Sequence, residues 1–297
     1  MNRISAAIII LLAGVPQMLL AADADTATPA AEYAALFKEY GPVAGGMRKA
    51  KTDLERKAAV ERLSTYPAKF VDLAEKHSTD KLVLTILKQA IQALGSSESA
   101  AQIAWETNRS NFPAGPRDDS ARRIVAILMK DHLQSDKLGP VIDRVRYQYR
   151  LEFEEFLLAA LNKSPHRSVR GEACLALALN LNDRLQMLRL LEDREELVEC
   201  YELVFGPTYV PDLRRLGKAK LARRVEALFE RAAREFADVK LRSGTVGDQA
   251  KSALYDIRHL GIGKTAPEIS GKDQDGKKLK LSDYRGKVVL LYFWSEF

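Results

Sequence analysis

The stretch Gly263–Phe297, GKTAPEISGKDQDGKKLKLSDYRGKVVLLYFWSEF, decides how the C-terminal region folds. Its Asp275-Gly276 pair lies between two short β-like runs, and Asp-Gly in that setting is a strong signal for a tight hairpin turn. Asp273 and Asp275 flank the turn, where we expect them to supply turn chemistry rather than acid–base chemistry. The stretch therefore predicts the opening of a β-rich domain.

A short helical turn and a long apolar run follow the predicted hairpin. Ser282 suits the N-cap of that turn and Gly286 suits its end. Residues 288–294 then read VVLLYFW, and a short apolar run without alternation is typical of a strand buried on both faces. We expect this strand to be central in the complete domain. Without its neighbours, residues 263–297 are expected to expose apolar surface and to be poorly ordered or to lean on the preceding helices.

This order of elements resembles the start of a thioredoxin-like redoxin domain, in the exported thiol-disulfide oxidoreductase branch (the TlpA-like and AhpC/TSA group). The matching pieces are Ala-Pro-Glu-Ile at 266–269, Asp-Gly-Lys at 275–277, Leu-Ser-Asp-Tyr-Arg-Gly-Lys at 281–287 and the apolar run. The resemblance covers about 35 of the 297 residues. It implies a thioredoxin-like α/β fold and thiol–disulfide or peroxiredoxin-like chemistry, with protein thiols or disulfides as partners.

The redox motif of that family lies just beyond this strand, which there runs into Trp-x-x-x-Cys-x-x-Cys. Here the strand ends Trp294-Ser295-Glu296-Phe297, and the next position is where the family places its first redox cysteine. Disulfide exchange needs a thiolate of lowered pKa and a second thiol. We therefore expect no catalytic residue in the chain as given and expect it to be inactive. The alternative is a non-enzymatic exported helical interaction or scaffold protein with a vestigial redoxin tail.

The N-terminus has the pattern of a secretory signal peptide. Arg3 precedes an apolar stretch, and small residues follow it at 21–22. A membrane anchor is the alternative, but the stretch is short for a bilayer span and contains Gly14 and Pro16. We expect residues 1–22 to be a cleaved signal peptide and residues 23–30 to be a linker. The mature protein is expected to be periplasmic or otherwise extracytoplasmic, without a stable membrane span.

Residues 31–260 have the composition of an all-α domain, and residues 261–297 begin the redoxin-like part. Helical spacing from Val83 to Leu94 predicts a helix that ends at Gly95. Ser120 and Ser164-Pro165 are predicted to start two others, and a last helix is predicted over 248–260. The helix containing 173–179 is apolar nearly all round and should be buried. The predicted fold class is mainly α (a helical bundle or array), followed by the N-terminal β part of an incomplete thioredoxin-like α/β domain.

The remaining chemistry-bearing residues predict no site. Cys174 and Cys200 leave a disulfide open, and Cys174 fits a small buried side chain in an apolar helix. The histidines are scattered without metal-ligand spacing, and we expect surface or structural roles for them: His77, His132, His166 and His259. A cluster of three acidic residues is expected on a solvated helix face: Glu152, Glu154 and Glu155.

Neither a cofactor nor a metal is predicted. The stretch 261–265 ends like a phosphate-binding loop, but Arg258 stands where that loop needs a glycine. The formal net charge is +6, and the basic stretch 214–234 contains Glu226 and Glu230, which favours a solvated helix surface. The expected export argues against nucleic acid as a partner, and weak attraction to acidic surfaces stays open. The sequence does not identify a partner for the helical region.

Overall fold

The computed structural model describes residues 28–108 and 119–295. The predicted signal peptide and residues 23–27 of the predicted linker lie outside the described residues. A helix begins within the rest of that linker, because Thr28 accepts a hydrogen bond from the backbone N–H of Ala31 (3.3 Å) and the first helix starts at Pro29.

The described chain is a succession of helices followed by one small hairpin, which confirms the predicted mainly α class. The α-helices are α1 (Pro29–Ala44), α2 (Gly46–Lys49), α3 (Asp53–Leu63), α4 (Tyr66–Lys76), α5 (Val83–Thr107), α6 (Ser120–Ile127), α7 (Gly139–Val145), α8 (Glu152–Lys163), α9 (Arg167–Asp193), α10 (Val198–Phe205), α11 (Tyr209–Arg215), α12 (Lys218–Glu235) and α13 (Val246–Tyr255). Two π-helical turns (Leu128–His132 and Asp256–Leu260), two 3₁₀ turns (Glu195–Leu197 and Leu281–Tyr284) and the strands β1 (Ser270–Lys272) and β2 (Lys278–Lys280) complete the described elements.

The helix α9 lies at the centre of the core. It packs against α8 and α12, while α5 packs against α4 nearer the N-terminus. Residues 173–178 are buried, which confirms the prediction for this apolar helix. Gly171 permits the close approach of the chain after α12, since a Cβ there would lie 3.0 Å from side-chain atoms of Phe236 and Val239.

The predicted end at Gly95 is wrong, because α5 continues to Thr107. A Cβ at Gly95 would lie 3.0 Å from Nε2 of Gln148. This glycine therefore permits a close tertiary contact inside the helix and does not terminate it.

Two predicted helix starts are also shifted. Ser164 is the C-cap of α8, and its Oγ accepts a hydrogen bond from the backbone N–H of His166 (3.3 Å), so that α9 begins only at Arg167. Ser120 is the first residue of α6 rather than its cap, which is Asp119. Serine and proline mark the helix boundary here, but local hydrogen bonds move it by one or two residues.

The last helix differs from the predicted 248–260. Thr245 and Asp248 form a capping box, with Oγ1 of Thr245 accepting from the N–H of Asp248 at 3.1 Å and the carboxylate accepting from the N–H of Thr245 at 3.0 Å. The helix therefore starts at Val246, and its continuation as a π turn carries Arg258 to Glu226 (2.6 Å) and Glu230 on α12. These ion pairs fasten the end of the helical region to α12.

Candidate functional site

A two-stranded hairpin lies in the C-terminal segment 263–297. Its strands are antiparallel, with Ser270 opposite Lys280. Oδ1 of Asp273 accepts hydrogen bonds from the backbone N–H groups of Asp275 (3.0 Å) and Lys277 (2.8 Å). Gly276 has φ +77°, a conformation that favours glycine. The predicted hairpin and the turn role of Asp273 are confirmed, while Asp275 contributes its backbone N–H.

A second contact closes the segment across its own sequence. Oε1 of Glu268 accepts a hydrogen bond from the backbone N–H of Ser282 (3.1 Å), and the carbonyl of Ile269 accepts from the N–H of Leu281 (2.9 Å). Hydrogen bonds from the side chain and the backbone N–H of Ser282 lower the pKa of the Glu268 carboxyl group. Sequence reasoning gave Glu268 no role. The sequence signal for this role is an acidic residue just before a predicted hairpin that leads into the first turn of a helix, because the N-terminus of a helix favours negative charge.

The 3₁₀ turn after the hairpin starts at Leu281, one residue before the expected N-cap Ser282. The carboxylate of Asp283 accepts a hydrogen bond from the N–H of Lys280 at 3.2 Å. Gly286 has φ +81° and follows the turn, as its sequence position predicts. The turn therefore redirects the chain from β2 into the apolar run.

The apolar run 288–294 is exposed along its whole length. Val288 and Leu290 are 104% and 91% exposed, and Trp294 is 72% exposed. No strand pairing involves these residues within the described part of the chain. The expected exposure of apolar surface is confirmed.

Neither cysteine has the environment of a redox thiol. Cys174 is fully buried, its thiol donates to the carbonyl of Leu228 (3.5 Å), and burial raises its pKa to about 11. Cys200 is also buried, and the structure joins neither cysteine in a disulfide, so the disulfide that the sequence left open is not formed. A reactive cysteine needs an accessible thiolate of lowered pKa, which is the opposite arrangement.

The four histidines lie in separate surroundings. His77 contacts Glu32 (3.2 Å), His166 contacts the carbonyl of Gln134 (3.0 Å) and the ring of His259 lies against Tyr255. Burial lowers the pKa of His132, which lies in the first π turn. Across residues 28–108 and 119–295, no group of three or more His, Cys, Asp or Glu side chains is arranged to hold a metal ion.

The acidic cluster of α8 is only partly solvated, which corrects the expectation for Glu154. Its carboxylate pairs with Arg184 of α9 (2.5 Å) and Arg224 of α12 (2.5 Å), and the Arg184 side chain is 1% exposed. Glu155 stays exposed. The structure thus uses Glu154 to join three helices, whereas the local sequence shows only three neighbouring acids.

A second ion pair lies in the interior between α5 and the loop before α8. Nε of Arg150 lies 2.5 Å from Oε1 of Glu98, and both residues are buried. Sequence reasoning missed this pair. A charged residue at a core-facing position of α5 is the signal that could have found Glu98, since an ionised group is buried only with a partner.

No helix among the described residues combines the length and the hydrophobicity that a bilayer span requires.

Comparisons with known proteins place the likeness at the C-terminus. Residues 262–297 match the model of the AhpC/TSA family. The chain is similar to the thiol-disulfide oxidoreductase ResA of Bacillus thuringiensis (strain Al Hakam) and of Bacillus anthracis, with 42% identity over 53 residues in each. That alignment covers 18% of this chain and 31% of each relative, so the chain spans about a third of the length of these relatives. No solved structure matches the chain. The matches support the resemblance to the thioredoxin-like redoxin family.

Proposed function

We propose that the gene that encodes this chain specifies an exported thiol-disulfide oxidoreductase of the redoxin type, acting on protein thiols or disulfides. The observation that carries the proposal is the match of residues 262–297 to the AhpC/TSA model, and the 42% identity to ResA over 53 residues supports it. Its hairpin, its 3₁₀ turn and its apolar run follow one another in the order of the sequence pieces that carry the resemblance. Among the described residues of the helical region, both cysteines are buried and no group of three or more His, Cys, Asp or Glu side chains is arranged to hold a metal ion.

The proposed reaction is thiol–disulfide exchange. A thiolate attacks one sulfur of a disulfide and displaces the other sulfur as a thiolate, and a second thiol then resolves the mixed disulfide. Cys174 and Cys200 are buried, so neither can meet a protein disulfide at the surface. We therefore place the reacting thiols outside residues 28–295 and propose that residues 1–297 alone are inactive.

The domain organisation belongs to the same proposal. We assign residues 1–22 to a signal peptide, 23–30 to a linker whose last two residues already belong to α1, 31–260 to the helical domain and 261–297 to the start of the redoxin domain. Export is tested by fusing the chain to a reporter enzyme that is active only outside the cytoplasm. Leu11→Asp, which places a charge in the apolar stretch, should abolish reporter activity, whereas Leu11→Ile should retain it. Equal reporter activity of the two variants would reject export through this segment.

The catalytic proposal is tested by dithiothreitol-dependent reduction of insulin. We expect the complete product of the gene to accelerate the reaction, and the chain 1–297 to give the rate of dithiothreitol alone. A Cys174→Ser/Cys200→Ser variant of the complete product is the matched control and should retain full activity. An inactive complete product would favour the helical interaction protein instead. Loss of activity in the double variant would refute our assignment of these cysteines.

A further inference from the structure

Residues 214–224 form a strongly basic surface, here called the basic patch. The sequence RRLGKAKLARR contains six cations and no acidic residue within eleven positions. The patch includes the end of α11 and the first seven residues of α12. Leu221 and Val225 are buried, so the core holds this helix in place while the charged positions face outward.

Half of the cations have a partner. Arg215 pairs with Asp212 (2.8 Å), Lys218 with Glu192, and Arg224 with Glu154 (2.5 Å). The other three are Arg214, Lys220 and Arg223, which are exposed. Within residues 28–108 and 119–295, none of these three lies in an ion pair, so their charge is available to a partner.

The patch works against the stability of its own helix. Two lysines, Lys218 and Lys220, lie in the first turn of α12, where the helix dipole disfavours positive charge, and no acidic residue lies in that turn. By contrast, the first turns of α3, α8 and α13 contain acidic residues. Proteins tend to break such local rules at functional positions.

The surroundings of the patch favour a diffuse partner over a folded protein. Residues 191–254, which are described throughout, contain no exposed large apolar side chain, although Leu190 and Tyr255 at the two ends of this range are 38% and 49% exposed. The patch itself therefore offers arginines but no aromatic or apolar anchor of the kind that dominates many specific protein interfaces. Attraction to an anionic bilayer needs no such anchor, because it grows with the number of cations near the surface. We propose that the basic patch binds the surface of a bilayer that contains anionic phospholipids.

The test measures co-sedimentation of the purified chain with vesicles of phosphatidylglycerol and phosphatidylcholine. A triple variant, Arg214→Gln/Lys220→Gln/Arg223→Gln, removes the three unpaired cations. The control, Lys38→Gln/Lys137→Gln/Lys163→Gln, removes three exposed cations elsewhere and so has the same net charge. Circular dichroism establishes that both variants are folded.

We expect the patch variant to lose about a hundredfold in vesicle affinity, or about fivefold per cation, and the control variant to change it by less than about threefold. Binding should disappear at about 1 M salt and with pure phosphatidylcholine vesicles. Equal losses in the two variants would mean that net charge alone acts, and would overturn the proposal. Binding to duplex DNA without binding to the anionic vesicles would also overturn it.

Discussion

Alkylation of Cys174 gives a quantitative test of the claim that the helical region supplies no redox thiol. The perturbation is iodoacetamide treatment of a Cys200→Ser variant, in which Cys174 is the one remaining cysteine of the sequence. Burial raises the pKa of the Cys174 thiol to about 11, so only about one molecule in ten thousand carries the thiolate at pH 7. An ordinary cysteine, with a pKa of about 8.5, is about 3% ionised at that pH.

The ratio of these populations sets the expected rate. Because the thiolate is the reacting species, Cys174 should be alkylated at least about 300-fold more slowly than an exposed thiol at pH 7. The rate should rise about tenfold per pH unit up to about pH 10, whereas the rate for an ordinary thiol levels off above about pH 8.5. Exclusion of the reagent from the core slows the reaction further.

The assay is mass spectrometry of alkylated protein against time at several pH values. Ser295→Cys in a Cys174→Ser/Cys200→Ser background is the matched control, since Ser295 is exposed. Denaturation of the Cys200→Ser variant should restore an ordinary rate. If native Cys174 is alkylated at a rate within threefold of that of the Ser295→Cys control at pH 7, Cys174 is an accessible, reactive thiol and our assignment of it as a buried structural residue is wrong.

Three further predictions concern the helical region. Glu154→Gln leaves the Arg184 side chain, which is 1% exposed, without its counter-ion, so urea unfolding should show that the free energy of unfolding falls by about 3 kcal/mol. The control Glu155→Gln, at an exposed position, should change this free energy by less than about 0.5 kcal/mol. Equal losses in the two variants would contradict the role of the ion pair. Burial raises the pKa of Glu172, so the contribution of this carboxyl group to stability is present at low pH and is lost as the pH rises through its folded-state pKa. Glu172→Gln should therefore raise the melting temperature at about pH 7 and leave it unchanged at about pH 3. A change in melting temperature that is the same at both pH values would exclude ionisation of Glu172 as the cause. A Cβ at Gly247 would lie 2.8 Å from backbone atoms of Ala237, so Gly247→Ala should lower the free energy of unfolding by about 1–3 kcal/mol in the same assay. A Cβ at Gly41 would meet nothing within 4 Å, so Gly41→Ala should raise this free energy by up to about 1 kcal/mol. An unchanged stability of Gly247→Ala would show that the backbone at Ala237 moves without cost.

The hairpin could be predicted because its determinants are local. Asp273 accepts hydrogen bonds from backbone N–H groups two and four residues later, and Gly276 adopts the left-handed backbone conformation that glycine favours. The apolar character of 173–179 and of 288–294 was equally visible, since it depends on composition alone. Residues 173–178 are buried because α9 packs against α8 and α12, whereas residues 288–294 are exposed because no strand in the described part of the chain pairs with them.

The misassignments of Gly95 and Glu154 have a common physical cause. Gly95 has the residue type of a helix end, but its role is set by Gln148, more than fifty residues away in the sequence. The sequence places Glu154 beside Glu152 and Glu155 and so predicts a solvated side chain, but in the structure it pairs with Arg184 of α9 and Arg224 of α12. Tertiary contacts of this kind cannot be read from residue spacing within one helix.

We have proposed that residues 262–297 open a redoxin domain. The most direct measurement is to sequence the genomic DNA beyond the codon for Phe297 and to translate it in all three frames. We expect an in-frame cysteine at the next position, followed after two residues by a second cysteine at the start of a helix. An immediate stop codon, with no thioredoxin-like sequence downstream in any frame, would contradict the oxidoreductase assignment.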